Sequence, residues 1–334
     1  YGYGNVGDEA QLSADLQMLE KIAGRNNLKV LSPNPDYTTL QHDGIASALA
    51  PREAFFDQSS SPLYKIRTHI SGGMVRRVGN AIYKILFLVR MAWLLFNANL
   101  MKFGCPPILL GAKRVALLEE VRQSGLIFFV GGGYLTGATL SRLWDGMLFI
   151  RIAKTFGKPV FISGQTIGDW QSGFNRWVAK WGLGKADLIT VRDPEDSYQA
   201  LVDLGIDKTR FYACCDDALF CSRTELDAVP HDESILKQRY VAFHLHYWGA
   251  TSEAEKQSIL DYAVQVLEQI PDENVVVISM TPSDEQAMED LKQRYPRSNI
   301  SYFQYNYDYE LMRAVLAKAA YCVTMKHHPI IFSV

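Results

Sequence analysis

The 334-residue sequence predicts an α/β protein built from two parallel-sheet halves. Short apolar runs rich in Val, Ile and Phe recur at 28–33, 125–133, 158–165, 186–193, 239–246 and 273–280, and each leads into a stretch of helical periodicity. Strands joined through helices pair in parallel, and a sheet covered on both faces needs strands that are apolar throughout. A break at 217–230, carrying charge, proline and turn residues, separates the halves. The expected division is an N-terminal lobe over 1–220 and a C-terminal lobe over 231–334, incomplete at its end, with a cleft between them. In such folds ligands bind at the carboxyl ends of the strands.

The chain opens on GYGNVGDEAQL (2–12), a glycine-rich loop running into a helix expected over 8–23. Gly2, Gly4 and Gly7 let a backbone approach a ligand, and Asn5 or Asp8 can cap the helix. An ordinary tight turn is the other explanation of the glycines. The loop is read as neither a G-x-x-x-x-G-K-[ST] phosphate loop nor a G-x-G-x-x-G fingerprint, so nucleotide binding gains little from it. No secretory leader is read, and both ends look cut: the chain starts at Tyr1 and stops at Val334 inside an apolar run.

The overall charge of −2, from 34 Lys+Arg and 36 Asp+Glu, conceals an asymmetry. No acid occurs between Asp57 and Glu119, yet Lys65, Arg67, Arg76, Arg77, Lys84, Arg90, Lys102, Lys113 and Arg114 all fall there, leaving 25 bases against 36 acids elsewhere. With 48% hydrophobic and 21% charged residues the chain is globular, not disordered or fibrous. The segment 78–101 within the basic block reads as a helix with apolar side chains at Val78, Ile82, Ile85, Val89, Ala92, Phe96 and Leu100. Its longest charge-free run, 11 residues, falls short of the roughly 20 needed for a span. Two expectations stay open: a buried docking helix, or a surface helix through which 62–114 contacts an anionic membrane. No nucleic-acid module surrounds the block, so nucleic acid is not an expected partner.

Four later segments carry chemistry. VGGGYLTG (130–137) places Gly131, Gly132 and Gly133 together, implying close passage of a ligand or another backbone. SGQTIGDW (163–170), with Gln165, is expected to be a loop after a strand. TVRDPEDS (190–197) puts Arg192 and Asp193 at a strand end. The planar fork of Arg192 suits a phosphate or carboxylate, and a surface Arg–Asp pair is the alternative. VTMKHHPIIFSV (323–334) sets Lys326, His327 and His328 between a strand and a helix start, a combination suited to anion binding and proton transfer. Adjacent histidines point apart and no H-E-x-x-H occurs, so no metal is expected. His244 and His246 form either a second proton-handling group or satisfied core histidines. Five cysteines without a C-x-x-C pair read as reduced thiols of a cytoplasmic protein.

Together GNVGDEAQL, GGGYL, GQTIG with Arg176 downstream, ITVRD with Ser197 and LVDLGID, DDALF, and MKHHPIIFS resemble, in that order, the polysaccharide pyruvyl transferase family over nearly the whole chain. The family's C-terminal motif reads Met-Arg-Leu-His; here Met325 and His328 match, while Lys326 and His327 replace the middle pair. The family's proline after GQTIG is replaced by Asp169.

The resemblance implies two lobes similar to the GT-B glycosyltransferases, with phosphoenolpyruvate as donor and no cofactor. It implies a pyruvate ketal made on a sugar of a cell-surface polysaccharide or its lipid-linked precursor, with release of phosphate. Arg192 and Lys326, with His327 beside them, are then the expected phosphoenolpyruvate-binding residues and His328 the general acid. Asp8, or Asp193, is expected to accept the hydroxyl proton. Gly4, Asn5, Gly7, Gly131, Gly132, Gly133 and Gln165 are expected on glycine-rich loops near the cleft. The implied location is cytoplasmic, on the inner face of the membrane. A nucleotide-sugar glycosyltransferase of similar architecture and a non-catalytic glycan-binding relative stay open.

Overall fold

In the computed structural model of this chain, which describes residues 2, 4–55, 73–137, 140–221, 234–247, 249–304 and 308–333, Asn5 caps the first helix by accepting the Gly7 amide at 3.1 Å. Helix α1 (Val6–Ala23) ends at Gly24, where φ is +77°. Its apolar residues Val6 and Ala10 enter a core with Met312, Val315 and Phe332, and the Val6 amide donates to the Met280 carbonyl at 3.2 Å. The chain therefore divides into Asn26–Asp217 and a unit joining Tyr1–Arg25 to Ala218–Val334. This corrects the expected 1–220 lobe. The division near 217 is where the break was read, but α1 carries its apolar face into the C-terminal unit; residues 222–230 of the break lie outside the described residues.

In the unit Asn26–Asp217, β1 (Val30–Ser32) pairs in parallel with β2 (Ser47–Leu49) across α2 (Pro35–Gln41). Helices α3 (Pro51–Phe55), α4 (Gly73–Lys102) and α5 (Ala112–Gln123) follow. The main sheet is then laid down by β3 (Ile127–Phe129), β4 (Gly132–Thr136), β5 (Val160–Gly168), β6 (Leu188–Val191) and β7 (Phe211–Ala213). All its pairings are parallel, in the order β3–β5–β6–β7, with β4 also on β5. Helices α6 (Leu140–Thr155), α7 (Gly173–Leu183) and α8 (Asp196–Leu204) make the crossovers. Leu143, Met147, Ile162, Val178 and Ile189 are buried where α6 and α7 meet the sheet.

The apolar helix of the basic block is α4, and it splits the two sequence expectations between its faces. Phe87, Met91, Leu94, Ala98 and Met101 are buried in the unit's core, with the Phe87 ring 4.7 Å from that of Trp144. The stripe picked out in the sequence faces solvent instead. Val78, Ile82, Ile85, Val89 and Phe96 are 46–60% exposed. The stretch Ala81–Lys102 is long and apolar enough by composition to cross a bilayer, contrary to the sequence expectation, because two interrupting charges do not lower its mean hydropathy enough. Lys65 and Arg67 lie outside the described residues.

In the C-terminal unit, β8 (Val241–His244), β9 (Val275–Ile278), β10 (Ile300–Phe303) and β11 (Tyr321–Thr324) form a parallel sheet in the order β10–β9–β8–β11. Strands β8 and β9 are buried at every position, as a doubly covered sheet demands. Helix α9 (Glu253–Glu268) starts on the Ser252/Glu255 capping box; α10 (Glu285–Arg294), α11 (Tyr309–Lys318) and the short α12 (His327–Phe332) complete the unit. The chain builds outward from β8 to β10 and then returns to lay β11 on the other side of β8. That reversal is a topological switch point, where the strand ends splay and leave a crevice.

Candidate functional site

Arg192 follows β6, and its guanidinium is held on two sides. Nε donates to the Thr166 hydroxyl at 2.7 Å, and Nη1 pairs with Asp216, the buried acid after β7. A Cβ on Gly133 would sit 3.3 Å from Nη2, so this glycine faces the fork. Among the described residues these bonds engage two of the five guanidinium N–H donors, leaving three for a ligand. The surface Arg–Asp pair read as the alternative is not what forms: the partner, Asp216, is buried. Asp193 instead caps α8, accepting the amides of Glu195, Asp196 and Ser197 at 3.0–3.1 Å. Burial works to raise the Asp193 carboxyl, but those amides hold it below its ordinary value, which makes it a poor proton acceptor.

Asp217 sits beside Asp216 between two glycines. Its carboxylate oxygens lie 2.5 Å from the places that Cβ atoms on Gly131 and Gly164 would occupy, and Ser163 donates to Oδ1 at 3.0 Å. The Gly131–Gly133 run thus makes room for an acid and an arginine. Gly132, with φ of +148°, and Gly133 begin strand β4, and Gln165 is fully buried within β5, donating to the Val130 carbonyl. These three are therefore sheet residues, which corrects their expected place on loops. Apolar patterning misses this because a strand that accommodates close side chains tolerates glycine. Asp169 has φ of +53°, closed to proline, and its carbonyl approaches Gly137.

In the C-terminal unit Lys326 follows β11 at the switch point. Its Nζ reaches Asp284 Oδ1 and Oδ2 at 2.8 and 2.9 Å and the Thr281 hydroxyl at 3.3 Å, three contacts for three donors. Asp284 is 1% exposed and also accepts the amides of Met280 and Thr281 and lies 3.2 Å from His244 Nε2. Burial would raise this carboxyl, but His244 and the Lys326 charge hold it well below the usual carboxylate range. His244 is lowered by burial despite Asp284, and its Nδ1 lies 3.3 Å from the Thr324 hydroxyl. It is the satisfied core histidine that the sequence left as an alternative. His246 is lowered too, by burial and then by Lys326.

His328 lies in α12, stacked on Phe332 at 6.2 Å and edge-on to His327 at 5.7 Å. A Cβ on Gly7 would fall 2.0 Å from His328 Nδ1, so the imidazole lies directly over the start of α1. Gly2, Gly4 and Gly7 do stand at G-x-G-x-x-G spacing, which corrects the sequence reading of the loop, yet the third glycine admits a histidine of the same chain. Asp8 lies one residue on, half-buried in the first turn of α1, and Gly4 is buried just before it. His327 is exposed. Within this unit the fold gathers Asn5, Gly7 and Asp8 with His328, and separately Lys326 with Asp284 and His244. Within the other it gathers Arg192, Asp216, Asp217, Gly131, Gly133 and Gln165. Sequence reasoning missed Asp284, whose only signal is a Thr281–Asp284 cap after an apolar strand, and gave no role to Asp216 and Asp217, although DDALF was noticed. Among the described residues no group of His, Cys, Asp and Glu is placed to hold a metal ion.

The family model for polysaccharide pyruvyl transferases matches residues 5–334. The chain belongs to the polysaccharide pyruvyl transferase family. The match starts at Asn5, the cap of α1, and includes every candidate residue of both units except Gly2 and Gly4. No curated protein is significantly similar in sequence. Among solved structures the chain is similar to a UDP-GlcNAc 2-epimerase from Methanocaldococcus jannaschii, at 13% identity over 70% of each chain with a TM-score of 0.44. The parallel topology of both sheets, rather than that match, carries the fold class of this pyruvyl transferase family member.

Proposed function

We propose that the protein transfers the pyruvyl unit of phosphoenolpyruvate to two hydroxyls of one sugar, forming a ketal and releasing phosphate. The acceptor class is a cell-surface polysaccharide or its lipid-linked precursor. Family membership supports the reaction class. The observation that carries the residue assignment is Arg192: a cation fixed by Thr166 and Asp216 that keeps three donors for an anion. Phosphoenolpyruvate bears a phosphate and a carboxylate, and a bidentate fork suits either.

His328, held over Gly7 at a helix start, is the proposed acid. It protonates the methylene carbon, turning it into a methyl group and leaving an oxocarbenium-like centre at C2. One sugar hydroxyl adds there and gives its proton to a base, for which Asp8 is the proposed residue. Cleavage of the C2–O bond then releases phosphate, and the second hydroxyl closes the ketal. Two hydroxyl protons are lost; one is balanced by the new methyl C–H and the other by hydrogen phosphate. Lys326, with its donors committed to Asp284 and Thr281, contributes positive potential, and His327 supplies an exposed donor beside it.

Thermal-shift titration tests this without knowledge of the acceptor. Phosphoenolpyruvate should raise the midpoint of the wild type and leave that of Arg192→Ala unmoved. Stabilisation by UDP- or GDP-sugars alone would replace the proposal with a glycosyltransferase. With an acceptor in hand, phosphate release distinguishes transfer from mere glycan binding.

A further inference from the structure

Helix α4 exposes an apolar stripe that the proposed transfer does not use. Val78, Ile82, Ile85, Val89, Trp93 and Phe96 recur at intervals of three and four, and all six are 37–60% exposed. From Val78 to Phe96 the stripe runs about 27 Å at 1.5 Å per residue. The Trp93 and Phe96 rings stack at 5.7 Å. Beyond the helix end it continues into an exposed apolar turn, with Phe103 77% and Leu109 88% exposed. So large a contiguous apolar surface marks an interaction face.

The charges around it select the partner. Lys84 and Lys102 are five helical turns apart and so project from one side of the stripe, while Arg90 projects from the other. Lys113 is exposed on the following helix. Next to Lys84, whose ammonium lies 5.2 Å from the Phe174 ring, stands Trp177 at 5.7 Å from Phe174 and 48% exposed. No acid occurs from 58 to 118. Two copies packed stripe to stripe would set these cations against one another with no local acid to pair them. Anionic headgroups would meet them, and the stripe would enter the acyl boundary.

We propose that α4 lies in the interfacial plane of an anionic lipid bilayer, stripe inward, anchoring the unit Asn26–Asp217. It does not span. A span would withdraw Phe87, Met91, Leu94 and Ala98 from the core, where they are at most 9% exposed. The proposal is independent of the transfer reaction, so either can fail alone.

Vesicle co-sedimentation tests it, using the purified protein with phosphatidylcholine vesicles with and without 30% phosphatidylglycerol. Binding to the anionic vesicles should weaken with salt and fall about fivefold for each of Lys84→Gln and Arg90→Gln. Ile85→Glu/Val89→Glu, both exposed positions, should abolish it with an unchanged circular dichroism spectrum. Brominated lipids should quench the wild type more than Trp93→Phe, a reading that needs no charged substitution. No binding to anionic vesicles at low salt would overturn the proposal, as would equal binding by the double variant. A dimer that Ile85→Glu/Val89→Glu converts to monomer would also overturn it, in favour of a second copy on the stripe.

Discussion

Each unit holds a cation against a buried acid at the carboxyl ends of its strands, and the two pairs are built differently. Arg192 meets Asp216 with one arm and Thr166 with its Nε, and is left with donors to spare. Lys326 spends three contacts on Asp284 and Thr281. The acids differ in the opposite sense: Asp284 also takes two backbone amides and neighbours a buried histidine. An arginine can thus be both anchored and available, whereas an anchored lysine is mostly consumed. The arginine pair keeps donors in reserve, and the lysine pair is the more fully engaged internal joint.

The largest effect expected from this contrast is on stability. Asp284→Ala strands the Lys326 ammonium and the His244 ring together with two amides, and should cost about 3–5 kcal/mol. Asp216→Ala leaves an arginine that is 19% exposed and still bonded to Thr166, and should cost less. Thermal midpoints of the two variants measure the difference. A larger loss for Asp216→Ala would reverse the comparison.

Next comes His328, whose place depends on a glycine far away in sequence. His328→Ala should lower phosphate release about 10²–10⁴-fold, the usual range for a general acid. Gly7→Ala should do nearly the same while leaving the imidazole intact, because its methyl would fall 2.0 Å from Nδ1. Full activity in Gly7→Ala would mean that the ring works from another position.

That coupling shows what a sequence can and cannot disclose here. Strands β1, β3, β5, β6, β8 and β9 were legible, because buried parallel strands must be apolar, whereas β2, β4, β7 and β10 were not read. The helix read over 8–23 lies within two residues of α1 at either end. The stripe on α4 was legible as a stripe, but periodicity gives two apolar faces no label, and Phe87 and Met91 proved to be the core face. Arg192 and His328 stood out by residue type. Asp284, Asp216 and Asp217 did not, since an acid at a strand end is ordinary until its partner, 24 to 54 residues away, is brought to it. Contacts at that separation belong to topology. The placement of α1 in the C-terminal unit is of the same kind.

A smaller effect separates the units by pH. His244 and His246 are both lowered, chiefly by burial, so below about pH 6.5 the unfolded chain takes up protons that the folded unit refuses. Stability of the C-terminal unit should therefore fall as pH drops below that value. The contribution of the Asp284 carboxylate, whose value is depressed, is present above about pH 4 and is lost only at lower pH. Hydrogen-exchange protection factors, corrected for the intrinsic exchange rate at each pH, should fall more at β8 than at β5 between pH 7 and 5. An equal fall in both sheets would place the titration elsewhere.

The smallest expected effect is the one that sharpens the comparison most. Lys326→Arg brings five donors to a place where the lysine makes three contacts with Asp284 and Thr281, so about two remain for an anion. The charge and the Asp284 pair are kept, so the thermal midpoint without ligand should hardly move. Affinity for phosphoenolpyruvate should stay equal or tighten by a few-fold, because the Lys326 position would gain what Arg192 already has. If the variant instead binds distinctly more weakly, the lysine must release Asp284 when the donor arrives. The pair in the C-terminal unit would then be a switch, not a joint. Titration of the variant and the wild type under identical salt decides between these, because both outcomes are changes in one binding constant with the cation count held fixed.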